Sequence, residues 1–197
     1  MKKLISTLVL LLTLNTIAMS QQGFEVKKEI IIDVPAAELW EMVGPGFTDV
    51  HKWSSNVDHA EGSGTPEFEG AVCSNRSCDL NVKGFNKISE KLFLYDQNKM
   101  MLGYSVEEGM PGFVTKAKNI WTVEAVNDKQ SKLTMNAEFG SKGFMGMIMQ
   151  GMMKKKMTET LETVLIDAKV YAETGEISAT KKERIKELAE KAEKKAA

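Results

Sequence analysis

The sequence predicts an α+β domain: a curved antiparallel sheet of about seven strands, two short helices and a long C-terminal helix around an apolar cavity. Three observations carry this. Between Val57 and Phe139 apolar residues recur with period two, broken at short intervals by turn residues. After Gly140 the period becomes 3.6. The elements run strand, two short helices, six strands, long helix, and strands gathered in a run with segregated helices make an α+β domain.

The first strand is expected over Phe24 to Val34, where Val26, Ile30 and Ile32 alternate with charged residues. Pro35 then opens a helix over Ala36 to Val43, because its missing N–H costs nothing in a first turn. Gly44-Pro45-Gly46 stops it, and Phe47 to Trp53 can make a second short helix or turn. Further strands are placed near residues 57–62, 70–81, 85–95, 100–107, 115–126 and 132–139. The breaks between them are short enough for hairpins, so the sheet is antiparallel. In the long helix, Met145, Ile148, Met149, Met152 and Met153 begin a stripe that Met157, Leu161, Val164, Leu165 and Ala168 continue. Gly175 is the natural stop.

Residues 1–20 read as an export signal and not as part of the fold. Lys2 and Lys3 precede an apolar run from Leu4 to Leu14, and Ala18-Met19-Ser20 offers small residues for cleavage. The run is too short for a comfortable membrane span and no second one follows, so the mature form is expected without a stable membrane anchor. The expected location is periplasmic or extracellular. Losing Lys2 and Lys3 takes the formal charge from −1 to −3, which argues against nucleic acid as a partner. Residues 24–175 form the expected domain and 176–197 a charged tail, helical or disordered. Glu183–Glu187 repel and Glu187–Lys191 attract at helical spacing, so the tail reads as solvated, with a partner through it as the alternative.

Local matches resemble the START-like helix-grip superfamily, also called SRPBCC, in its polyketide cyclase/dehydrase and lipid-transport branch. Val34-Pro35-Ala36-Ala37-Glu38-Leu39-Trp40 looks like the family's strand-to-helix junction, and Trp53 like the Trp after its second helix. Gly70, Arg76, Leu80, Gly84, Ile88, Glu90, Leu92 and Tyr95-Asp96 form the core of the match, continued by Tyr104 and Gly109-Met110-Pro111. The resemblance covers about residues 25 to 172. It implies a hydrophobic or amphipathic small molecule held between sheet and long helix. Members include enzymes and carriers, so the choice falls to the site.

Met145, Met149 and Met152 are the expected apolar lining, among six Met between residues 145 and 157. Flexible, polarisable Met suits a surface that adapts to varied apolar partners, though the same stripe serves as core filler. Gly143, Gly146 and Gly151 interrupt this stretch and should loosen the first turns. Arg76 and Glu90 are the expected polar anchor. A three-residue turn at Val82-Lys83-Gly84 pairs residues whose numbers sum to 166, setting Arg76 opposite Glu90 and Cys78 opposite Ile88. The two charges then form an inward pair or stand as solvated surface charges; a two-residue turn would dissolve the pairing. Tyr104, Asn119 and Trp121 suit a cavity wall or a satisfied core.

No catalytic set, cofactor or metal is expected. His51 and His59 match no zinc spacing, and no Ser or Cys stands in a nucleophile pattern. Export favours a disulfide between Cys73 and Cys78, but five residues of strand span about 16 Å against the roughly 7 Å that a bridge tolerates. The function expected is an exported binding or carrier protein for a lipid-like or polyketide-like molecule. The rival is a polyketide cyclase/dehydrase-like enzyme with Glu90 as its acid or base.

Overall fold

The computed structural model describes residues 22–81 and 86–196. The segment read as an export signal and the turn expected at Val82-Lys83-Gly84 therefore lie outside the described residues. Seven strands form one antiparallel sheet, ordered β1-β7-β6-β5-β4-β3-β2. They are β1 (Gln22–Ile32), β2 (Val57–Ser63), β3 (Asn75–Leu80), β4 (Lys87–Asp96), β5 (Met101–Glu108), β6 (Val114–Asn127) and β7 (Gln130–Ser141). Between β1 and β2 come α1 (Ala36–Val43), a 3-10 turn (Pro45–Asp49) and α2 (Val50–Trp53). The long α3 (Gly143–Thr174) and α4 (Ala179–Ala196) close the chain.

Consecutive strands β2 to β7 pair as a meander, and β1 returns to the free edge of β7, with Val26 opposite Ala137. One core joins Leu39, Trp40 and Val43 of α1 to the sheet through Ile32 and Leu133, and to α3 through Leu161, Leu165 and Ala168. Salt and hydrogen bonds hold the C-terminal half of α3 along β1: Lys28 Nζ meets Glu162 at 2.6 Å, and Lys169 Nζ donates to Ile31 O at 2.7 Å. The helix ends where expected. Gly175 takes φ +71°, which a glycine adopts without a Cβ penalty, and its N–H donates to Tyr171 O.

Three expectations need correction. The strand placed at 70–81 begins only at Asn75, because Gly64 and Gly70 take φ of +77° and +82° and turn the chain out of the ladder. Val72, expected on the face of Arg76, is therefore an exposed loop residue. The glycines expected to interrupt the start of α3 do not break it: the helix runs unbroken through Gly146 and Gly151. Gly146 is required by packing, since a Cβ there would stand 2.9 Å from the Ser141 side chain.

The tail is a helix whose first turn is docked by polar side chains. Ser178 Oγ donates to Asp167, which is 1% exposed and also accepts from the Ser55 N–H at 2.7 Å. Lys181 Nζ donates to Val57 O at 2.8 Å, and Arg184 forks onto Asp58. Burial lowers the Lys181 pKa against the opposing pull of Asp58 and Asp167. Beyond Arg184 the helix is mostly exposed, as its Lys/Glu composition dictates.

Candidate functional site

Between the sheet and α3 lies a cavity of about 730 Å³, within the roughly 300–1,000 Å³ of small-molecule sites. Its walls are mainly apolar: Ile88 and Val106 from the strands, Met149, Met153 and Met157 from α3, and Met110, Pro111 and Phe113 from the β5–β6 connection. Polar lining comes chiefly from two sides: a cluster on β3, β4, β5 and β6, and Lys156, Glu159, Thr160 and Thr163 on α3.

Arg76 and Glu90 stand directly opposite in the β3–β4 register, with Cys78 opposite Ile88, which is the pairing expected from the sequence. Both side chains are 4% exposed, so the pair points inward. Arg76 Nε donates to Glu90 Oε2 at 2.6 Å and Nη1 to Phe47 O at 2.5 Å. The guanidinium lies 3.7 Å from the centre of the Phe47 ring and 5.2 Å from that of Tyr104. Burial disfavours its charge, but Glu90 overrides that and holds its pKa above the ordinary arginine value. Arg76 is therefore a fixed cation. Among the described residues, its Nη2 and Oε1 of Glu90 make no hydrogen bond. A buried guanidinium with an unused donor beside an apolar space is suited to a carbonyl or carboxylate.

Tyr104, Asn119 and Trp121 extend the cluster. Tyr104 and Asn119 face each other across β5 and β6, and Asn119 Nδ2 donates to the Tyr104 hydroxyl at 3.3 Å. Burial first, then the charge of Glu90, pushes the Tyr104 pKa above its ordinary value, so the phenol stays neutral. Asn119 Oδ1 and Trp121 Nε1 are buried without a partner among the described residues. Trp121 stacks at an angle on Tyr104 and Trp53, at centroid distances of 6.5 and 6.3 Å. The Cys78 thiol lies 3.6 Å from Glu90, and burial pushes its pKa up to about 12.

Arg76, Glu90, Tyr104, Asn119, Trp121, Met149 and Met152 all line the cavity. Met145 does not; it is 53% exposed. Met145 shares its helix face with Met149 and Met152 but lies a turn nearer the start of α3, and among the described residues the α3 lining begins only at Met149. Phe47 was missed as the residue whose carbonyl and ring hold Arg76. A loop carbonyl leaves no sequence signal.

Cys73 and Cys78 are both free and buried. His51 and His59 stack at 5.6 Å, and among the described residues no group of three or more His, Cys, Asp or Glu is placed to hold a metal.

Solved structures share this architecture. Norcoclaurine synthase from Thalictrum flavum, in complex with dopamine and hydroxybenzaldehyde, superposes with a TM-score of 0.58 at 16% identity, covering 88% of this chain and 98% of that one. The Zhui aromatase/cyclase from Streptomyces sp. R1128 gives 0.59 at 13% identity, over 80% and 100% of the two chains. XoxI from Bacillus cereus gives 0.57 at 14%, over 74% and 92%. At these identities the likeness is one of fold. No curated protein matches the chain. Residues 23–164 match the family described as polyketide cyclase/dehydrase and lipid transport, and the chain belongs to that family.

Proposed function

We propose that the protein binds or carries a hydrophobic or amphipathic small molecule, lipid-like or polyketide-like, in the cavity between sheet and α3. The observation that carries this reading is the fixed Arg76 cation, with Nη2 unused, set in the wall of a mainly apolar cavity of about 730 Å³. An apolar chain there gains about 25 cal/mol for each Å² taken from water. A carbonyl or carboxylate on Arg76 adds a charge-assisted bond and sets the orientation. The family's lipid-transport description agrees with this chemistry. Residues 1–20 are read as the export signal, placing the mature chain in the periplasm or outside the cell. N-terminal sequencing of exported material should begin near Gln21; retained Met1 would count against export.

The second reading is a polyketide cyclase/dehydrase-like enzyme, favoured by the cluster of Glu90, Tyr104 and Asn119 at the cavity wall. That chemistry needs a group free to exchange a proton near neutral pH. Glu90 is instead tied to Arg76, and burial pushes the Tyr104 pKa further above neutral pH. Binding is the better supported function.

The test is a paired titration with a fluorescent fatty acid and the matching fatty alcohol. Wild type should bind both. Arg76→Leu/Glu90→Leu, which leaves no lone buried charge, should lose about 10- to 100-fold toward the acid and little toward the alcohol. A wild type that binds neither would overturn the reading.

A further inference from the structure

We propose that the N-terminal half of α3 is a docking face for an anionic lipid bilayer. The proposal rests on the reading of the cavity as a site for a lipid-like molecule, and names the source from which that molecule is taken up.

Phe144, Met147 and Ile148 follow one another at i, i+3 and i+4 and stand exposed, Phe144 at 70% and Ile148 at 56%, and half-exposed Met152 lies where this stripe meets the cavity wall. The other sides of the same turns are occupied. Gly146 packs on Ser141, and Gln150 Nε2 donates to Gly23 O at 3.0 Å. Met149 and Met153 line the cavity. This orientation is therefore anchored, and the apolar stripe faces outward because the domain has no surface left to cover it. A contiguous apolar face on an otherwise polar chain marks an interaction surface.

Charge identifies the partner. Between Ser141 and Thr158 the chain carries Lys142, Lys154, Lys155 and Lys156 and no acidic residue, although its formal charge as a whole is negative. Lys155 and Lys156 reach only Glu159 of the same helix, at 3.9 and 3.3 Å, and Lys154 has no ion pair among the described residues. An apolar helix face bordered by lysines is the composition of a segment that lies in the headgroup region of an anionic membrane. A two-fold contact that sets the stripes antiparallel would bring the lysine run of each copy near Lys142 of the other, so like charges oppose that occupant.

The face also adjoins the cavity. Lys142 N–H donates to Phe113 O at 2.8 Å, tying the start of α3 to the β5–β6 connection, where Met110, Pro111 and Phe113 line the cavity. With Phe144 and Ile148 among acyl chains, the Met-lined wall lies within a helix width of the bilayer. An amphipathic molecule then passes between membrane and cavity with little exposure to water.

Flotation with vesicles tests this, using phosphatidylcholine mixed with phosphatidylglycerol, and phosphatidylcholine alone. Wild type should float with the mixed vesicles and far less with the neutral ones. Lys154→Gln/Lys155→Gln should lower partition into mixed vesicles about 25-fold, five-fold for each lysine near the surface. Phe144→Ser/Ile148→Ser should lower it on the order of 100-fold. Both variants alter exposed side chains, so their unfolding midpoints and their affinity for a soluble fluorescent fatty acid without vesicles should match wild type. A wild type that does not float, or variants that partition like it, would overturn the docking face. Fatty-acid binding without flotation removes the docking face and leaves the cavity reading standing. Flotation without fatty-acid binding does the reverse. Concentration-dependent dimers abolished by Phe144→Ser/Ile148→Ser, with no flotation, would assign the face to a second copy and also overturn the proposal.

Discussion

Glu90→Leu is the perturbation that most exposes the energetics of the cavity. The carboxylate takes the Arg76 Nε bond at 2.6 Å, and each partner is 4% exposed. Without Glu90 the guanidinium keeps only the Phe47 carbonyl and two aromatic rings. Removing one member of a buried pair costs about 3–5 kcal/mol, because the remaining charge is left uncompensated. Water in the cavity can reach the free Nη2, which places this site near the lower end, about 3 kcal/mol. For a domain of this size, that lowers the unfolding midpoint by about 6–12 °C. Arg76→Leu/Glu90→Leu removes both charges and should recover to within about 3 °C of wild type or exceed it, since apolar replacements of buried pairs are often neutral or stabilising. The assay is thermal unfolding by circular dichroism on wild type, the single variant and the double variant. A Glu90→Leu midpoint within about 2 °C of wild type would refute the buried, mutually dependent pair. A double variant as unstable as the single would mean that side-chain shape, and not charge, governs the site.

Deleting residues 178–197 removes the Ser178, Lys181 and Arg184 contacts and should cost on the order of 2 kcal/mol, about 4–8 °C of midpoint. Deleting only residues 186–197 should change it by less than about 1 °C, so equal losses would contradict docking through the first turn alone. Met149→Ala, beside the cavity, should cost less than about 1 kcal/mol, whereas Leu133→Ala in the closed core should cost about 2–5 kcal/mol. Matching losses in chemical denaturation would show the space filled by packed side chains. The Cys78 pKa, about 12 in the fold against 9.0 for an ordinary thiol, makes its contribution depend on pH. Its share of the stability is complete below pH 9, where both states hold the proton, and falls as pH rises toward 12. Unfolding midpoints between these values should therefore fall less steeply for Cys78→Ala than for wild type; parallel slopes would refute the burial assigned to the thiol.

The meander was legible because period-two segments joined by short turns leave an antiparallel sheet as the only economical pairing. The Arg76–Glu90 register followed from the length of one turn. Its direction did not. The Val72–Leu80 face holds Ser74, Arg76 and Cys78, and the opposite face Cys73, Asn75, Ser77 and Asp79, so neither is plainly apolar. Residues 70–74 mimic a strand in composition, and only the left-handed backbone at Gly64 and Gly70 breaks it. The extent of the Met stripe was ambiguous because Met145, Met149 and Met152 share one helix face, and only where the cavity ends along α3 separates Met145 from the other two. The docked tail was hidden for a different reason. Its contacts are polar, and Asp167, the residue that receives Ser178, sits between Val164 and Ala168 on a stripe read for hydrophobicity alone.

Native mass spectrometry of the mature protein purified from its own host, compared with the denatured chain, tests the central claim most directly. The expected result is a mass excess in the native spectrum that disappears on denaturation, released as an amphipathic or apolar molecule and diminished in Arg76→Leu/Glu90→Leu. The contradicting result is the bare polypeptide mass in both spectra, together with no uptake of the fluorescent fatty acid or alcohol by the same preparation. The space between sheet and α3 would then hold no ligand.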